Sequence, residues 1–264
     1  MRNLYHDLYI EQGAGPAVVF GHGTLMDATQ FTPQLESLAG RYRVISYNSQ
    51  VLTGTPQPHS LADLVEDCRS LLDQLGIHKC ALAGMSVGGF MALLFALTYP
   101  DRLDGLILID ATSQSYTLEE QKAYSYEFDK LDVDGMVPRE FAEWAALYCF
   151  GTTTAKENKN LVEYWIDRWA TTVPARAVLY QGRSWINKDD LTSRLSEITV
   201  PVLVIHGEED IPIPVERAVR MLEALPGATL SRIPQAGHTS NLENALKVNE
   251  AIHAFLARIS GTQG

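Results

Sequence analysis

Ser86 stands in Gly84-Met85-Ser86-Val87-Gly88, after an apolar run at residues 80–83 and before a helical apolar run at residues 90–97. Strand, G-x-S-x-G and helix in that order describe a nucleophile elbow, a sharp turn that lifts a serine hydroxyl clear of the backbone. Gly84 and Gly88 let strand and helix approach closely, and Gly89 adds room. The plainer alternative is a glycine-rich turn whose serine merely caps a helix. A reactive serine needs a base within hydrogen-bond reach and a third group to orient that base. Two strand-to-loop junctions downstream offer candidates. The apolar run 202–205 leads into His206-Gly207-Glu208-Glu209-Asp210, and the strand-like run 228–233 leads into Pro234-Gln235-Ala236-Gly237-His238. His238 is the expected general base. Asp210 is the expected acid that holds its imidazole in one tautomer and stabilises the imidazolium.

The elements that must position these residues follow from periodicity. Strands are expected at 3–11, 16–21, 43–47, 80–85, 106–109, 202–206 and 228–233. Helices alternate with them at 29–38, 60–75, 86–98, 214–224 and 242–258, the second opening on a capping box at Ser60-Leu61-Ala62-Asp63 and stopping at Gly76. Short apolar runs alternating with amphipathic helices predict a mostly parallel, doubly wound α/β sheet covered on both faces. Residues 113 to about 190 break the alternation and carry no clear strand. Three helical segments are expected there. One starts at Thr117-Leu118-Glu119-Glu120, one opens with Pro138 at its first position, and one runs from about Ala155 to Ala170.

The order of these landmarks, from His22-Gly23-Thr24 through the elbow, the 201–210 strand and loop, Gly237-His238 and a terminal helix, resembles the α/β-hydrolase superfamily over nearly the whole chain. The resemblance implies a core domain made of residues 1–112 and 191–264, a helical cap at 113–190, and a meeting of Ser86, Asp210 and His238 that spacing alone does not establish. It also implies an oxyanion hole, since acyl transfer develops negative charge on the carbonyl oxygen. Its donors are expected to be the N–H of Val87 and that of Thr24, with Leu25 as the neighbour that could replace Thr24. His22 is expected to shape the turn by hydrogen bonding. Asp110, at the end of the strand after the elbow helix, remains an alternative acid, because some superfamily members take theirs from that position. Glu208 and Glu209 are expected to be solvated charges or weak substitutes for Asp210. A departure lies in Asn48-Ser49-Gln50-Val51-Leu52-Thr53-Gly54, where many relatives have Asp-x-x-Gly-x-Gly. That loop must take another path, and Ser49 and Gln50 could reach a substrate.

The proposed cap holds all four tryptophans, Trp144, Trp165, Trp169 and Trp185. Large aromatics there can dock a small helical unit onto the main domain or line an apolar pocket above the serine. Leu25, Trp144, Tyr148, Trp165 and Trp169 are the expected substrate contacts. The formal net charge of −11 argues against a nucleic-acid or anionic-membrane partner. Cys68, Cys80 and Cys149 are odd in number and scattered, which suits a reducing cytoplasm, and no signal peptide or spanning segment is legible. No metal-ligand spacing occurs, so neither a metal nor a cofactor is expected.

The expected function is a cofactor-free serine hydrolase, which could form a homodimer, that cleaves a small, partly apolar or aromatic ester or lactone. The alternatives are a hydrolase of carbon–carbon bonds in diketone ring-fission products and a hydrolase-like receptor for a small ligand.

Overall fold

The computed structural model describes residues 8–49 and 55–261. A seven-stranded sheet runs through it in the order β1-β3-β2-β4-β5-β6-β7. The strands are β1 (Tyr9–Gln12), β2 (Ala17–Gly21), β3 (Arg43–Tyr47), β4 (Cys80–Met85), β5 (Leu103–Ile109), β6 (Val202–Gly207) and β7 (Thr229–Ile233). Only β1 is antiparallel to its neighbour; the other pairings are parallel. The expected strand at 3–11 is therefore seen as Tyr9–Gln12, and residues 3–7 lie outside the described region.

The two faces of the sheet read off the strand alternation. Ala81, Ala83 and Met85 of β4 join Ile107 and Ile109 under α1 (Thr32–Leu38) and the last helix; Leu82, Leu106 and Leu108 face the helices of the other side. That other side is covered by α2 (Leu61–Gln74) and α3 (Val87–Thr98). The start of α2 has the expected capping box, with Ser60 Oγ accepting from Asp63 N and Asp63 Oδ2 accepting from Ser60 N, and its end is closed by Gly76 at φ +65°.

Between β5 and β6 the described chain forms α4 (Leu118–Asp129), α5 (Arg139–Cys149), α6 (Thr152–Glu157), α7 (Lys159–Thr172) and α8 (Ala175–Ile186). Two expectations are corrected here. The single helix expected at 155–170 is two, broken at Asn158, whose side chain caps α7 by accepting from Leu161 N. The helix α8 was not anticipated, although Val178, Gly182 and Trp185 fall on one helical stripe. A Cβ on Gly182 would sit 2.1 Å from the Phe128 ring, so this glycine lets α8 lie against α4. The ends of the helical segment meet at its base, where Leu191 N donates to Ser113 O at 2.9 Å and the Ser113 and Thr192 hydroxyls lie 2.9 Å apart. Farther along the segment, Arg168 of α7 bonds to Asp27 Oδ2 of the core.

The chain closes with α9 (Val215–Ala224), α10 (Ser240–Glu243) and α11 (Ala245–Gly261). The expected terminal helix from Leu242 is interrupted at Asn244, which separates α10 from α11. No helix among the described residues is long and apolar enough to cross a membrane.

Candidate active site

The turn between β4 and α3 holds Ser86 at φ 51° and ψ −116°, a left-handed conformation that a non-glycine residue adopts only under constraint. The constraint is visible in its neighbours. A Cβ on Gly84 would lie 2.1 Å from Gly88 O, and one on Gly88 would lie 2.2 Å from Gly21 O. Any larger residue would push strand and helix apart. Ser86 occupies the N-cap position of α3 but makes no side-chain capping bond. Its hydroxyl lies 3.0 Å from His238 Nε2 instead. The helix-capping alternative does not describe this serine.

His238 sits in the loop after β7, and its Nδ1 lies 2.8 Å from Asp210 Oδ2. With Nδ1–H donating to the carboxylate, Nε2 is free to accept the serine proton. Asp210 is in turn held by Ile213 N, which donates to Oδ1 at 2.9 Å. His206 at the end of β6 adds a second imidazole: its Nε2 bonds to Ile213 O at 2.6 Å and lies 3.3 Å from Asp210 Oδ2. Burial alone would lower the pKa of His238, but the charge and hydrogen bond of Asp210 outweigh it and hold the imidazole above the ordinary histidine value. Burial would raise Asp210, yet His238 and His206 pull it below the ordinary carboxylate value.

Asp110 takes another role. It ends β5 at φ 48° and is fully buried. Gly207 N donates to Oδ1 at 2.8 Å, while Ser240 N and Ser240 Oγ donate to Oδ2 at 3.0 and 2.7 Å. It has no bond to His238 and ties the β6 end to α10. Burial pushes its carboxyl up to about 7. Asp110, His206 and Asp210 bring potential ligand atoms within 4.8 Å of one another. The carboxylate oxygens of that group are already taken by backbone, hydroxyl and imidazole donors, a hydrogen-bonded framework more than a cation cage.

The turn after β2 faces the elbow. Leu25 adopts φ 69°, and Thr24, Leu25 and Met26 line the same cavity as Ser86 and His238. Val87 is the first residue of α3, so its N–H has no partner in a preceding turn. His22 is buried; its Nδ1 donates to Gly23 O at 2.8 Å and its Nε2 accepts from Ser49 N at 3.2 Å. Burial lowers its pKa, in keeping with a neutral, turn-shaping ring. Ser49 lies with His22 and Gln181 in a separate small cavity, away from the space above Ser86. Gln50 lies outside the described residues.

The cavity above Ser86, about 610 Å³ including its open mouth, is walled by Met85, Tyr116, Tyr124, Phe128, Phe141, Trp144, Ala145, Tyr148, Cys149, Trp185 and Pro212. Among the described residues, its lining includes no Asp, Glu, Lys or Arg. Trp144 and Tyr148 thus fall where the sequence expects them, but Trp165 and Trp169 do not. Trp169 is fully buried and stacks on Phe150, with ring centroids 6.2 Å apart, and Trp165 packs beside it. Both fill the space between helices, because a small helical unit has few other residues large enough to do so. Trp185, on the unanticipated α8, points into the cavity wall and donates from Nε1 to Thr24 Oγ1 at 3.0 Å.

Sequence reasoning also missed polar supports. Gln30 accepts from Gly23 N at 2.9 Å and reaches Asn241, joining the turn after β2 to the residues after His238. Their wide separation in the chain leaves no local signal. Glu209 is no solvated charge: it accepts from Thr153 N at 2.8 Å and from the hydroxyls of Thr152 and Thr153. Glu208, by contrast, pairs at the surface with Arg232.

Similar proteins share this architecture. A protein of Variovorax paradoxus named "Putative carbamate hydrolase RutD" is 28% identical over 252 residues, covering 93% of each chain. An esterase from Thermogutta terrifontis superposes with a TM-score of 0.88 at 27% identity, over 95% of this chain and 93% of that one. The enol-lactonase of Burkholderia xenovorans, at 22% identity and a TM-score of 0.85 over 94% of this chain and 95% of its own, shares the fold. The family model for the alpha/beta hydrolase fold matches residues 16–245, and with this sheet and elbow in place the chain belongs to that family.

Proposed function

We propose that this chain is a serine hydrolase that cleaves a small, neutral, partly apolar or aromatic carboxylic ester or lactone through an acyl-enzyme. The observation that carries the reading is the unbroken hydrogen-bonded series Ser86–His238–Asp210 opening onto an apolar cavity. In this reading His238 Nε2 takes the proton of Ser86 Oγ as the oxygen attacks the carbonyl carbon. The N–H groups of Val87 and Thr24 stabilise the oxyanion. Collapse expels the alcohol, which leaves with the proton from His238. Water, deprotonated by His238, then attacks the acyl carbon, and Ser86 departs with that proton as the acid is released. The helices between β5 and β6 act as a cap whose aromatic wall receives the substrate.

The name of the 28%-identical relative favours a second reading, a carbamate. Its carbonyl would meet the same serine. A free carbamate is a small anion, however, and among the described residues the wall includes no Lys or Arg to receive it. The aromatic wall supports the ester or lactone.

Steady-state hydrolysis of short- and medium-chain p-nitrophenyl esters, lactones and carbamate by the wild type and by Ser86→Ala tests the reading. Sustained ester or lactone turnover that falls by roughly four orders of magnitude or more in the variant is expected. Turnover unchanged in Ser86→Ala would sink serine catalysis. A wild type inactive on esters and lactones would return the carbon–carbon and ligand-sensing alternatives to the front.

A further inference from the structure

Glu243 lies at the end of α10, five residues beyond His238. Its Oε1 accepts from Gly237 N at 2.9 Å, from Thr239 N at 3.2 Å and from Thr239 Oγ1 at 3.0 Å. Its Oε2 accepts from Gly151 N at 2.8 Å. One carboxylate thus gathers the residues on both sides of His238 and Gly151, the last residue of the turn between α5 and α6. From this geometry we infer that Glu243 is a positioning residue for His238, and that it ties the placement of this histidine to the cavity wall. The inference rests on the serine-hydrolase reading above.

The physical case starts with the loop. His238 follows β7 and has no ladder of its own to hold it, yet its two ring nitrogens must keep partners at 3.0 and 2.8 Å at once. Displacing its Cα would lengthen both bonds, and a misplacement of about 1 Å can cost about 100-fold in rate. Ionised acceptors make stronger and shorter hydrogen bonds than neutral ones, so a carboxylate is suited to pin several N–H groups together. The backbones at this point also touch. A Cβ on Gly237 would lie 2.3 Å from Gly151 N, and one on Gly151 would lie 2.7 Å from Gly237 N. The N–H groups of both glycines are donors, and the two oxygens of Glu243 accept one each. Glutamine could not replace it fully, because its amide nitrogen would face an N–H donor on one side.

The other end of the connection is the cavity. Gly151 follows α5, and α5 supplies Phe141, Trp144, Ala145, Tyr148 and Cys149 to the wall. Thr239 Oγ1 also lies 3.0 Å from Cys149 O. On the neighbouring loop Glu209, next to Asp210, binds Thr152 and Thr153. The loops that carry Asp210 and His238 are therefore both fastened to Gly151 and the first turn of α6. Glu243 is thereby a connection between α5 and the backbone around His238.

The test compares Glu243→Gln, Glu243→Asp and Thr239→Val with the wild type in three measurements. These are kcat and KM on a p-nitrophenyl ester, thermal unfolding, and the proton resonance of His238 Nδ1–H. We expect Glu243→Gln to lower kcat about 10- to 100-fold with KM within about 2-fold, and Glu243→Asp to recover part of the loss. Thr239→Val, which removes the hydroxyl's contacts to Glu243 and to Cys149 O and keeps the side-chain shape, is expected to cost about 3-fold in kcat even if the Gln variant folds poorly. The Nδ1–H resonance should shift or broaden in the Gln variant. Unchanged kcat and resonance in a folded Glu243→Gln would overturn the inference, as would equal losses in the Gln and Asp variants that follow only their loss of thermal stability. If turnover survives Ser86→Ala, the serine reading fails. The Nδ1–H resonance, which needs no substrate, then decides alone whether Glu243 places His238.

Discussion

The loops after β5 and β6 both carry a buried aspartate, and the two strands are hydrogen-bonded neighbours. Asp110 turns its oxygens to Gly207 N and to the amide and hydroxyl of Ser240. Asp210 turns one oxygen to Ile213 N and the other to an imidazole. Burial dominates the first and raises its carboxyl to about 7; two histidines outweigh burial at the second and lower it. Similar residues in adjacent loops acquire opposite electrostatic characters because burial, with the charge of Asp210, outweighs the two histidines at Asp110, whereas at Asp210 direct contact with both imidazoles outweighs burial. Asp110 is built to hold the sheet end to α10. Asp210 is built to stay ionised beside His238.

The sharpest way to break this comparison is to remove each charge in turn. Asp210→Asn is expected to lower kcat by about 10³- to 10⁴-fold with a modest change in thermal midpoint, since the imidazole loses its orienting partner. Asp110→Asn should keep kcat within about 10-fold but lower stability by about 1–3 kcal/mol, since it trades an acceptor for a donor beside buried N–H groups. Parallel kinetics and denaturant melts check both. Reversed outcomes would make Asp110 the acid of the site.

Titration sharpens it further. In the proposed mechanism His238 must be neutral to accept the serine proton, and its pKa is raised, so kcat/KM should fall on the acid side with a midpoint above the ordinary histidine value. Residual activity of Asp210→Asn should show that midpoint moved down, because the carboxylate that raises it is gone. For stability the sign at Asp110 is opposite to that of an ion-paired acid. Its pKa rises from 3.8 to about 7 on folding, so its contribution is full below the lower value and is lost as pH rises through the higher one. Stability of wild type minus Asp110→Asn, followed from pH 4 to 8 by denaturant melts, should decline across that window.

The smallest expected effects lie in the helices. Trp144→Ala should change KM for an aryl ester by roughly 3- to 10-fold, whereas Trp165→Phe should leave KM alone and appear only in thermal stability. A KM change in the second variant, and none in the first, would mean that the cavity wall has been drawn on the wrong side of the helical segment.

What could be read before the structure depended on how local the signal was. The elbow, the strand ends at Asp210 and His238 and the capping boxes of α2 and α4 are written in stretches of a few residues, where backbone sterics and capping chemistry act. Trp165 and Trp169 carry no such mark. An aromatic on a helical stripe has the same spacing whether it faces a cavity or a neighbouring helix. The helix α8 was hidden by glycine and polar residues whose placement makes sense only against Phe128.

The sequence by itself determined the alternation of strands and helices, the α/β class, and the residue types able to do acyl-transfer chemistry, because each follows from local periodicity and turn geometry. Only the tertiary structure decided which aspartate meets His238, which aromatics wall the cavity, and that Glu243 and Glu209 reach back to one turn near Gly151. Those outcomes depend on contacts between segments far apart in the chain. Such contacts are chosen by packing and by the pairing of buried polar groups, neither of which leaves a periodic trace.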